Sequence, residues 1–373
     1  MSKTYTPRVG VFIGRMQPIH KGHLNVLRLM ADECDMVVIG IGSANKSRST
    51  KNPFLPNERE QFITKALEEE NLFGKCSFAF AYLYDYTYNN EMWLESTANT
   101  VEDVIRQEYA NSVGDIFERE NLRDRGMYIS SSPEITLYGF DQGADTTYLH
   151  QFPQWGKQLV GKTVDYHATD IRRKMFYEDD PSWADMIPKG VSRPVLDILS
   201  SNNGEVSNNL KEEAALVTKI KADKANYTYP IIDQTVDAVV ICNGHILMVT
   251  RGVNPGKGQM ALPGGYLDEF ESIEDGIIRE LVEETRISLK PSLLRNLLNG
   301  STIKQYGAPG RSVRGRVITS CGLIHYRSNR LPEVKGSDDA VKAEWIPLTR
   351  LDSLANNIFE DHYCIIRNML GYC

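Results

Sequence analysis

The sequence has few cysteines for its length, and they are scattered along the chain. Its 373 residues include six, at positions 34, 76, 242, 321, 364 and 373, and no two of them have C-x-x-C spacing. Such spacing is typical of zinc sites and redox motifs, and dense cysteines are typical of small secreted domains. We therefore expect reduced, mostly buried thiols in a cytoplasmic protein.

Long apolar runs and an excess of basic residues are also absent. No run approaches the roughly 20 apolar residues that span a bilayer, and the first residues, MSKTYTPR, lack the apolar core of a signal peptide. The net charge is −7 at pH 7, which does not favour a nucleic-acid partner, because phosphate backbones attract basic surfaces. We therefore expect neither a membrane nor a nucleic acid as partner, and small molecules as substrates.

The length and the 41% of hydrophobic residues are sufficient for two domains, each with its own core. A cluster of turn-forming residues at 200–204 precedes a segment, 210–224, whose apolar residues recur at helical spacing. We predict a first domain over residues 1–195, a linker helix over 196–229 and a second domain over 230–373.

A motif suited to phosphate lies close to the start of the chain. Residues 9–13 are apolar and predict a buried parallel strand, and the following GRMQPIHKGH string leads into a helical pattern. A strand, a glycine-containing turn and a helix form a phosphate-binding arrangement, because the N-terminus of a helix presents unpaired N–H groups. Gly14, Arg15, His20 and His23 are therefore candidate site residues.

Three further segments of the first half add candidates. Lys46 and Arg48 follow a second apolar run, in a loop where they meet either phosphate or solvent. Residues 85–93 are unusually aromatic for a polar segment, and Trp93 is either a core residue or part of a binding site. Thr169 and Arg172 are three residues apart at a predicted helix start, where a hydroxyl caps and an arginine reaches phosphate.

These strings resemble the nucleotidyltransferase superfamily, which transfers an AMP or CMP unit from a nucleoside triphosphate. The H-x-G-H string matches its first signature. Residues 167–173 (HATDIRR) resemble its second, I-S-x-T-x-I-R, although His167 and Ala168 replace the Ile-Ser pair, so that a hydroxyl is missing. The G-S-A-x-K-S, N-P-F-x-x-x-E-R and Y-L-x-x-F-P-Q-W pieces are similar to archaeal-like nicotinamide mononucleotide (NMN) adenylyltransferases, and to a branch fused to a Nudix domain. Residues 139–143 (GFDQG) depart from the charged G-H-x-K-D segment of that branch.

The resemblance implies a role for each candidate in this half. The triphosphate of ATP would be held by His20, His23, Arg15 and Arg172, with Mg²⁺ neutralising its charge. Asn90 and Trp93 would hold the nicotinamide ring by an amide hydrogen bond and by stacking. Further binding residues would be Gly14, Lys46, Arg48 and Thr169.

A stretch in the second half carries a different chemistry. Over residues 265–287 apolar residues recur at helical spacing, so most of the stretch is predicted to be helical. Glu280, Glu283 and Glu284 are spaced to lie one turn apart on the same side, where their charges repel each other. A divalent cation removes that repulsion, and Mg²⁺ prefers a few carboxylates together with phosphate oxygens. The alternative is a solvated acidic helix face.

The same stretch resembles the box of the Nudix hydrolases, G-x5-E-x7-R-E-U-x-E-E-x-G-U, at every position but one. Arg286 replaces the last glycine, which ends the helix and is not a ligand. The resemblance implies that Mg²⁺ or Mn²⁺ is bound by Glu280, Glu283 and Glu284, and that one of these, with Glu283 and Glu284 as the catalytic candidates, activates the attacking water. The expected substrate contacts are Arg251, Arg311 and Arg314, and for the last two, in the basic loop 310–316, a solvated loop is the alternative.

The resemblance covers nearly the whole chain and implies the fold and two reactions. A doubly wound parallel-sheet nucleotidyltransferase domain would be followed by a Nudix α/β/α sandwich. The first would join NMN and ATP into NAD and diphosphate, and the second would hydrolyse ADP-ribose to AMP and ribose 5-phosphate. Two alternatives remain open: another small-molecule nucleotidyltransferase, and a Nudix domain that cleaves another nucleotide or only senses one. A homo-oligomer is among the open possibilities.

Overall fold

The computed structural model describes residues 3–120, 122, 125, 127–140, 144–298 and 302–372. Residues 141–143, in the segment that departs from the charged family pattern, therefore lie outside the described residues. The chain divides into two compact units, each made of several stretches of sequence. Unit 1 comprises Met1–Ala44, Phe54–Asp85 and Asn90–Val206, and unit 2 comprises Asn45–Pro53, Tyr86–Asn89 and Ser207–Cys373.

Unit 1 alternates strands and helices. Its strands are β1 (Lys3–Tyr5), β2 (Arg8–Gly14), β3 (Met36–Ile41), β4 (Ser77–Tyr82), β5 (Met127–Ile129), β6 (Glu134–Phe140) and β7 (Gly156–Val160). Its helices are α1 (Lys21–Glu33), α2 (Pro56–Glu69), α3 (Asn90–Arg119), α4 (Ala168–Arg173) and α5 (Lys189–Leu199). Short 3₁₀ segments lie at Leu72–Gly74, Ala144–Gln151 and Pro181–Met186, and a π-helical turn at Lys174–Glu178. Helix α6 (Ser201–Ala225) runs from the end of unit 1 into unit 2, and its residues 202–204 have left-handed backbone angles.

The central sheet of unit 1 is parallel, with strand order β4-β3-β2-β6-β7. The chain progresses outward from β2 through β3 to β4, and then returns to the other side of β2 to form β6 and β7. This reversal creates a crevice at the carboxyl ends of the strands, where doubly wound folds bind their ligands. Both faces of β3 are buried, as its continuous apolar run predicts.

Unit 2 is built on a second sheet. Its strands are β8 (Asp233–Cys242), β9 (His245–Arg251), β10 (Met260–Ala261), β11 (Gly264–Tyr266), β12 (Ile303–Tyr306), β13 (Val317–Tyr326) and β14 (Ala340–Pro347). Its helices beyond α6 are α7 (Ile273–Thr285), α8 (Pro291–Leu297) and α9 (His362–Leu370), with 3₁₀ turns at Leu348–Arg350 and Asp352–Asn357.

The sheet of unit 2 has the order β10-β9-β8-β13-β12, with β11 paired to β8 and β14 to β9. One face carries a core shared with α7 and α8, including Ile277, Leu281 and Leu294. The other carries a core shared with α9, including Ile365 and Ile366. Helices on both faces of a mixed sheet give the predicted α/β/α sandwich.

Two local features explain how the chain turns in unit 2. Asn243 and Gly244 both have positive φ, 45° and 72°, which suits the tight turn joining β8 to β9, as the Asn-Gly pair predicts. Helix α7 starts only at Ile273, where the Ser272 hydroxyl accepts from the Asp275 N–H at 3.1 Å. Most of the stretch 265–287 is therefore helical, as predicted, and the short strand Gly264–Tyr266 before it pairs with β8.

Among the described residues, no helix combines the length and the apolar character that crossing a bilayer requires.

Candidate functional site

A cavity of about 450 Å³ opens in unit 1 at the carboxyl ends of β2 and β3. It lies at the point where the strand order reverses, which is where the fold is expected to bind a nucleotide. The predicted site residues that line it are Gly14, Arg15, His20, His23, Trp93, Thr169 and Arg172.

His20 and His23 are in contact at the start of α1. Their ring centroids are 3.7 Å apart. The Nδ1 atom of His20 accepts from the Gly22 N–H at 3.1 Å, and that of His23 accepts from the N–H of His20 at 3.2 Å. Because each Nδ1 is an acceptor, each neutral ring carries its proton on Nε2. The motif therefore presents two Nε2–H donors of fixed tautomer at the edge of the cavity.

Both histidines are kept uncharged by their surroundings. Burial, and then the nearby His167, lowers the pKa of His20 to about 4. Burial and the imidazoles of His20 and His167 hold the pKa of His23 well below its usual range. At neutral pH the pair thus donates hydrogen bonds as neutral imidazoles, and positive charge in the cavity comes from other residues.

Arg172 supplies buried positive charge to the cavity. Its Nη1 donates to the Gln17 carbonyl at 2.9 Å and its Nη2 to the Thr169 hydroxyl at 3.0 Å. Burial and the neighbouring Arg15 lower its pKa to about 10, so it remains charged at neutral pH. Arg172 also fixes the turn before α1, while the exposed Arg15 projects from that turn.

The segment of residues 162–168 forms a wall of the cavity that the sequence reasoning missed. Lys162, Val164, Tyr166 and His167 all line it, beside the predicted Thr169. A Cβ atom on Gly22 would come within 2.8 Å of Val164 Cγ2 and 2.9 Å of the His20 ring, so this glycine permits the close approach of the wall. The available signal was the position of these residues directly after β7, at the same edge of the sheet.

Of the two residues expected to select nicotinamide, Trp93 lines the cavity, whereas Asn90 is not among its lining residues. Trp93 is half-buried, lines the cavity and has its ring centroid 5.8 Å from that of Phe152 in the core. It therefore belongs both to the core and to the cavity surface. Asn90 is exposed at the first residue of α3 and is not among the cavity-lining residues.

Lys46 and Arg48 lie in unit 2 and not at the cavity of unit 1. The Nζ of Lys46 is 3.5 Å from the Glu360 carbonyl oxygen. Arg48 donates to the Pro53 carbonyl at 2.8 Å, and its own carbonyl accepts from Gln259 Nε2 at 2.6 Å. Their predicted contact with ATP thus receives no support from their position and stays a prediction.

The Nudix-like box of unit 2 packs its carboxylates against a double glycine. A Cβ atom on Gly265 would lie 2.4 Å from Glu280 Oε1, and one on Gly264 would lie 2.3 Å from the Val236 carbonyl oxygen. The Gly264 N–H donates to Glu284 Oε2 at 2.9 Å. Only glycine allows this approach of backbone to carboxylate, which explains why the box begins with it.

Arg279 organises the outer carboxylates of the box. Its guanidinium contacts Glu271 at 2.6 Å, Glu280 at 2.8 Å and Glu283 at 3.0 Å. At the end of α7, Arg286 adopts the left-handed conformation with φ 41°, and its N–H donates to the Val282 carbonyl. The arginine therefore adopts the backbone conformation for which the family uses glycine, and the helix end is kept.

The box carboxylates fit a divalent cation chemically, although they do not converge as ligands. Among the described residues, no three His, Cys, Asp or Glu side chains form a ready metal cluster. Burial raises the pKa of Glu284 to about 8, and the charges of Glu280 and Asp237 act in the same direction. Burial also raises the pKa of Glu280. A cation beside these all-oxygen donors would relieve both effects.

The three arginines expected at the diphosphate have different surroundings. The Arg251 guanidinium lies 4.2 Å from the centroid of the Phe359 ring, and that of Arg314 lies 5.7 Å from the centroid of the Tyr266 ring. Arg311 is buried and forms a two-point ion pair with Asp361, at 2.7 and 2.9 Å. Because Asp361 already holds its guanidinium, Arg311 is a weaker candidate for substrate contact than the other two.

Two protein families match different parts of the chain. The cytidylyltransferase-like family model matches residues 11–174, and the NUDIX domain model matches residues 233–369. The nicotinamide-nucleotide adenylyltransferase of Pyrococcus furiosus is 31% identical over 189 residues, which are 51% of this chain and 83% of that protein. The corresponding enzyme of Methanococcus maripaludis is 29% identical over 187 residues, or 50% of this chain and 87% of that protein.

A solved structure matches both units together. It is a bifunctional NMN adenylyltransferase/ADP ribose pyrophosphatase from Francisella tularensis, complexed with AMP and a manganese ion. It is 30% identical, covers 98% of this chain and 99% of its own, and has a TM-score of 0.81. A second crystal structure of the Francisella enzyme has a TM-score of 0.79, with the same identity and coverage.

The fold and the two sites therefore define a nucleotidyltransferase domain joined to a Nudix hydrolase domain. The chain belongs to the family of bifunctional NMN adenylyltransferase/ADP-ribose pyrophosphatase enzymes. The predicted fold class and pair of activities are confirmed, and the NUDIX match together with the manganese-bound relative supports dependence on a divalent metal ion.

Proposed function

We propose that unit 1 transfers the adenylyl group of ATP to NMN through the cavity at the carboxyl ends of β2 and β3. The NMN phosphate oxygen attacks the α-phosphorus in line, and diphosphate leaves. The observation that carries this proposal is the His20–His23 pair, whose Nε2–H donors are fixed in tautomer at the cavity edge. The two donors hold the triphosphate oxygens as charge develops there, with Arg15 and Arg172 supplying positive charge. Mg²⁺ bound to ATP would neutralise the remaining charge.

In this proposal the nicotinamide ring stacks on Trp93, whose indole lines the cavity. Stacking discriminates NMN from the substrates of other small-molecule nucleotidyltransferases that lack an aromatic ring. The Thr169 hydroxyl acts through Arg172, to which it is hydrogen-bonded at 3.0 Å. Asn90 remains a proposed contact on resemblance alone.

We propose that unit 2 hydrolyses substrates of the ADP-ribose type, and ADP-ribose first among them, to AMP and a sugar phosphate. Glu280, Glu283 and Glu284 would hold Mg²⁺ or Mn²⁺, which supplies charge neutralisation and an activated water when bound. Arg251 and Arg314 hold the diphosphate. Arg279 positions Glu280 and Glu283 through its ion pairs, and Gly264 positions Glu284 through its N–H.

Replacing His23 with alanine tests the transferase proposal. Losing one donor to the developing charge should lower NAD synthesis by about 10²–10³-fold. Hydrolysis of ADP-ribose by the same preparation should be unchanged, which provides the folding control. Normal NAD synthesis by His23→Ala would refute the site assignment.

Replacing Glu284 with glutamine tests the hydrolase proposal. The amide keeps an acceptor for the Gly264 N–H and removes a charge that burial disfavours. ADP-ribose cleavage should therefore be largely lost, while the melting temperature without metal holds or rises and the stabilisation by added Mg²⁺ or Mn²⁺ shrinks. A wild type that binds ADP-ribose but cleaves no nucleoside diphosphate with either metal would favour a nucleotide sensor.

A further inference from the structure

The N-P-F-x-x-x-E-R string, residues 52–59, ends in a buried arginine to which the proposed mechanism gives no role. Arg59 lies on α2 and is 1% exposed. Burial lowers the pKa of its guanidinium to about 10, so the group remains charged at neutral pH. Burying a charge is unfavourable unless polar groups surround it. The partners of this guanidinium therefore show which part of the fold the charge supports.

The guanidinium of Arg59 donates to backbone carbonyls in two separate loops. Its Nη1 donates to the carbonyls of Arg15 and Gly42, both at 2.6 Å, and its Nη2 donates to the Ser43 carbonyl at 3.4 Å. Arg15 directly follows β2, and Gly42 directly follows β3. Hydrogen bonds from a charged donor are roughly twice as strong as neutral ones. One side chain therefore joins the loops at the carboxyl ends of two neighbouring strands.

Both loops line the cavity of unit 1, and both contain a residue in a strained conformation. Met16 and Ser43 are lining residues, with φ of 47° and 51°, in the left-handed region that residues other than glycine rarely adopt. Such conformations persist only where the surrounding contacts enforce them. Arg59 binds the carbonyl directly before each strained residue, at Arg15 and at Gly42. It therefore helps to fix the backbone on both sides of the cavity.

Other residues of the string support the turn of residues 14–17 or the start of α2. Gln17 Nε2 donates to the Phe54 carbonyl, and the Phe54 N–H donates to Gln17 Oε1, both at 2.9 Å. Glu58 Oε2 accepts from the Leu55 N–H at 2.8 Å, which fixes the first turn of α2. The segment of residues 54–59 therefore holds the turn at two points, through a peptide group and through a guanidinium.

We propose that Arg59 is a positioning residue for adenylyl transfer, which sets the place of Arg15 by holding its carbonyl against the loop after β3. At 1% exposure the side chain offers a substrate almost no surface, so it acts through Arg15. The inference rests on the proposed function, in which Arg15 meets the triphosphate and Trp93, on α3, meets nicotinamide. Binding of ATP therefore depends on Arg59 more strongly than binding of NMN does.

The test compares wild type with Arg59→Lys and Arg59→Met in the full-length protein. Lysine keeps the charge but lacks the planar fork of donors that reaches both loops, and methionine removes the charge. Leu67→Ala is the matched control, because Leu67 is a buried residue of the same helix and is not among the cavity-lining residues.

Three measurements are made on each protein. Thermal melting gives stability, and the kinetics of NAD synthesis, at a temperature where the protein is folded, give kcat and the KM for each substrate. Calorimetry gives the dissociation constant of a non-reacting methylene analogue of ATP with Mg²⁺.

We expect Arg59→Lys to lower kcat about 10-fold and to raise the KM for ATP by a similar factor, since a misplacement of about 1 Å can cost 10²-fold. The dissociation constant of the analogue should rise with the KM for ATP, while the KM for NMN stays near its wild-type value. Arg59→Met should change these quantities further in the same direction. Leu67→Ala should lower the melting temperature, because it leaves a cavity in the core, but keep kcat and both KM values.

Several results would overturn the inference while leaving the transferase function intact. Wild-type kinetics in both Arg59 variants would show that the guanidinium does not position Arg15. Equal rises in KM for ATP and NMN, the same kinetic changes in Leu67→Ala, or failure of both Arg59 variants to fold would show a role in general stability. If only Arg59→Met fails to fold, Arg59→Lys decides. A wild type that binds the ATP analogue but makes no NAD from ATP and NMN would instead refute the proposed function.

Discussion

His20 and His23 show how burial and neighbouring side chains set the charge of single residues. Histidine at its ordinary pKa is partly charged at neutral pH, yet both rings here are neutral because they are buried and lie beside other imidazoles. A neutral imidazole whose Nδ1 accepts a hydrogen bond donates only from Nε2. In the proposed reaction the pair therefore donates directional hydrogen bonds to the triphosphate without binding a proton beforehand.

The depressed pKa of His20 predicts how stability depends on pH. Its folded pKa is about 4, below the ordinary 6.5, so between these values the unfolded chain binds a proton that the folded chain does not. The contribution of His20 to the free energy of unfolding is then fully present above pH 6.5 and is lost as the pH falls toward 4. At about 1.4 kcal/mol per pH unit, the loss is roughly 3 kcal/mol.

Urea unfolding of unit 1 between pH 4 and pH 7, read by tryptophan fluorescence, measures this effect. His20→Gln should flatten the dependence on pH, whereas His150→Gln, at an exposed position, should leave it as in wild type. Parallel profiles for wild type and His20→Gln would show that His20 titrates normally in the folded protein.

At the level of elements, α1 and the wall of residues 162–168 depend on each other through one glycine. The sequence predicted β2, the turn and α1, because apolar runs and glycine are local signals. It did not predict the wall, which is far from His20 in sequence. The pairing of β7 with β6 is what brings the wall to the same edge of the sheet as His20. Likewise the short strand at residues 264–266 depends on its pairing with β8, which leaves no local signal in the sequence.

Gly22→Ala tests the link between α1 and the wall. The added methyl group would lie 2.8 Å from Val164 Cγ2, so the wall must shift away from the histidines. NAD synthesis should fall about 10-fold or more, as small displacements at catalytic groups do, while ADP-ribose hydrolysis stays constant. Val164→Ala in the same chain should restore part of the rate. Full activity of Gly22→Ala alone would contradict the proposed packing.

Glu213 of α6 is one of the residues of unit 2 that hold the segment of residues 45–53. The Glu213 carboxylate accepts from the Thr50 N–H at 2.6 Å and from the Thr50 hydroxyl at 2.9 Å, and it is buried. Glu213→Ala removes the buried acceptor of two hydrogen bonds from Thr50 and should destabilise unit 2 by about 2–4 kcal/mol. Thr50→Val removes only the hydroxyl and should have roughly half that effect. Thermal melts with metal present would measure both, and equal melting temperatures for all three proteins would exclude this attachment.

For the whole molecule, the sequence indicated two consecutive domains, whereas the contacts give unit 2 three stretches of chain. Lys46 and Arg48 illustrate the reason for the difference. They adjoin motifs of the first half in sequence, yet Arg48 contacts Gln259 and Lys46 contacts Glu360 within unit 2. Hydrogen bonds across more than 200 positions of sequence leave no periodic signal in either partner.

The composition of unit 2 predicts the behaviour of a truncated protein. A fragment of residues 207–373 lacks Thr50, and it lacks Tyr88, whose hydroxyl donates to Asp361. Asp361 and Glu213 then each lose a buried partner. The fragment should melt at a lower temperature than unit 2 in the intact chain, and should hydrolyse ADP-ribose more slowly at 37 °C. Indistinguishable melting and rates would show that the earlier stretches contribute nothing.

The three-stretch composition of unit 2 also restricts how such a gene can recombine. A crossover in the segment between the units would give a chimera whose hydrolase received residues 45–53 and 86–89 from one parent and the remainder from the other. Glu213 and Asp361 from one parent would then have to contact the residues that correspond to Thr50 and Tyr88 in the other parent. Exchange of the two activities between relatives is thus expected to require several coordinated breakpoints, and the halves are expected to be inherited together.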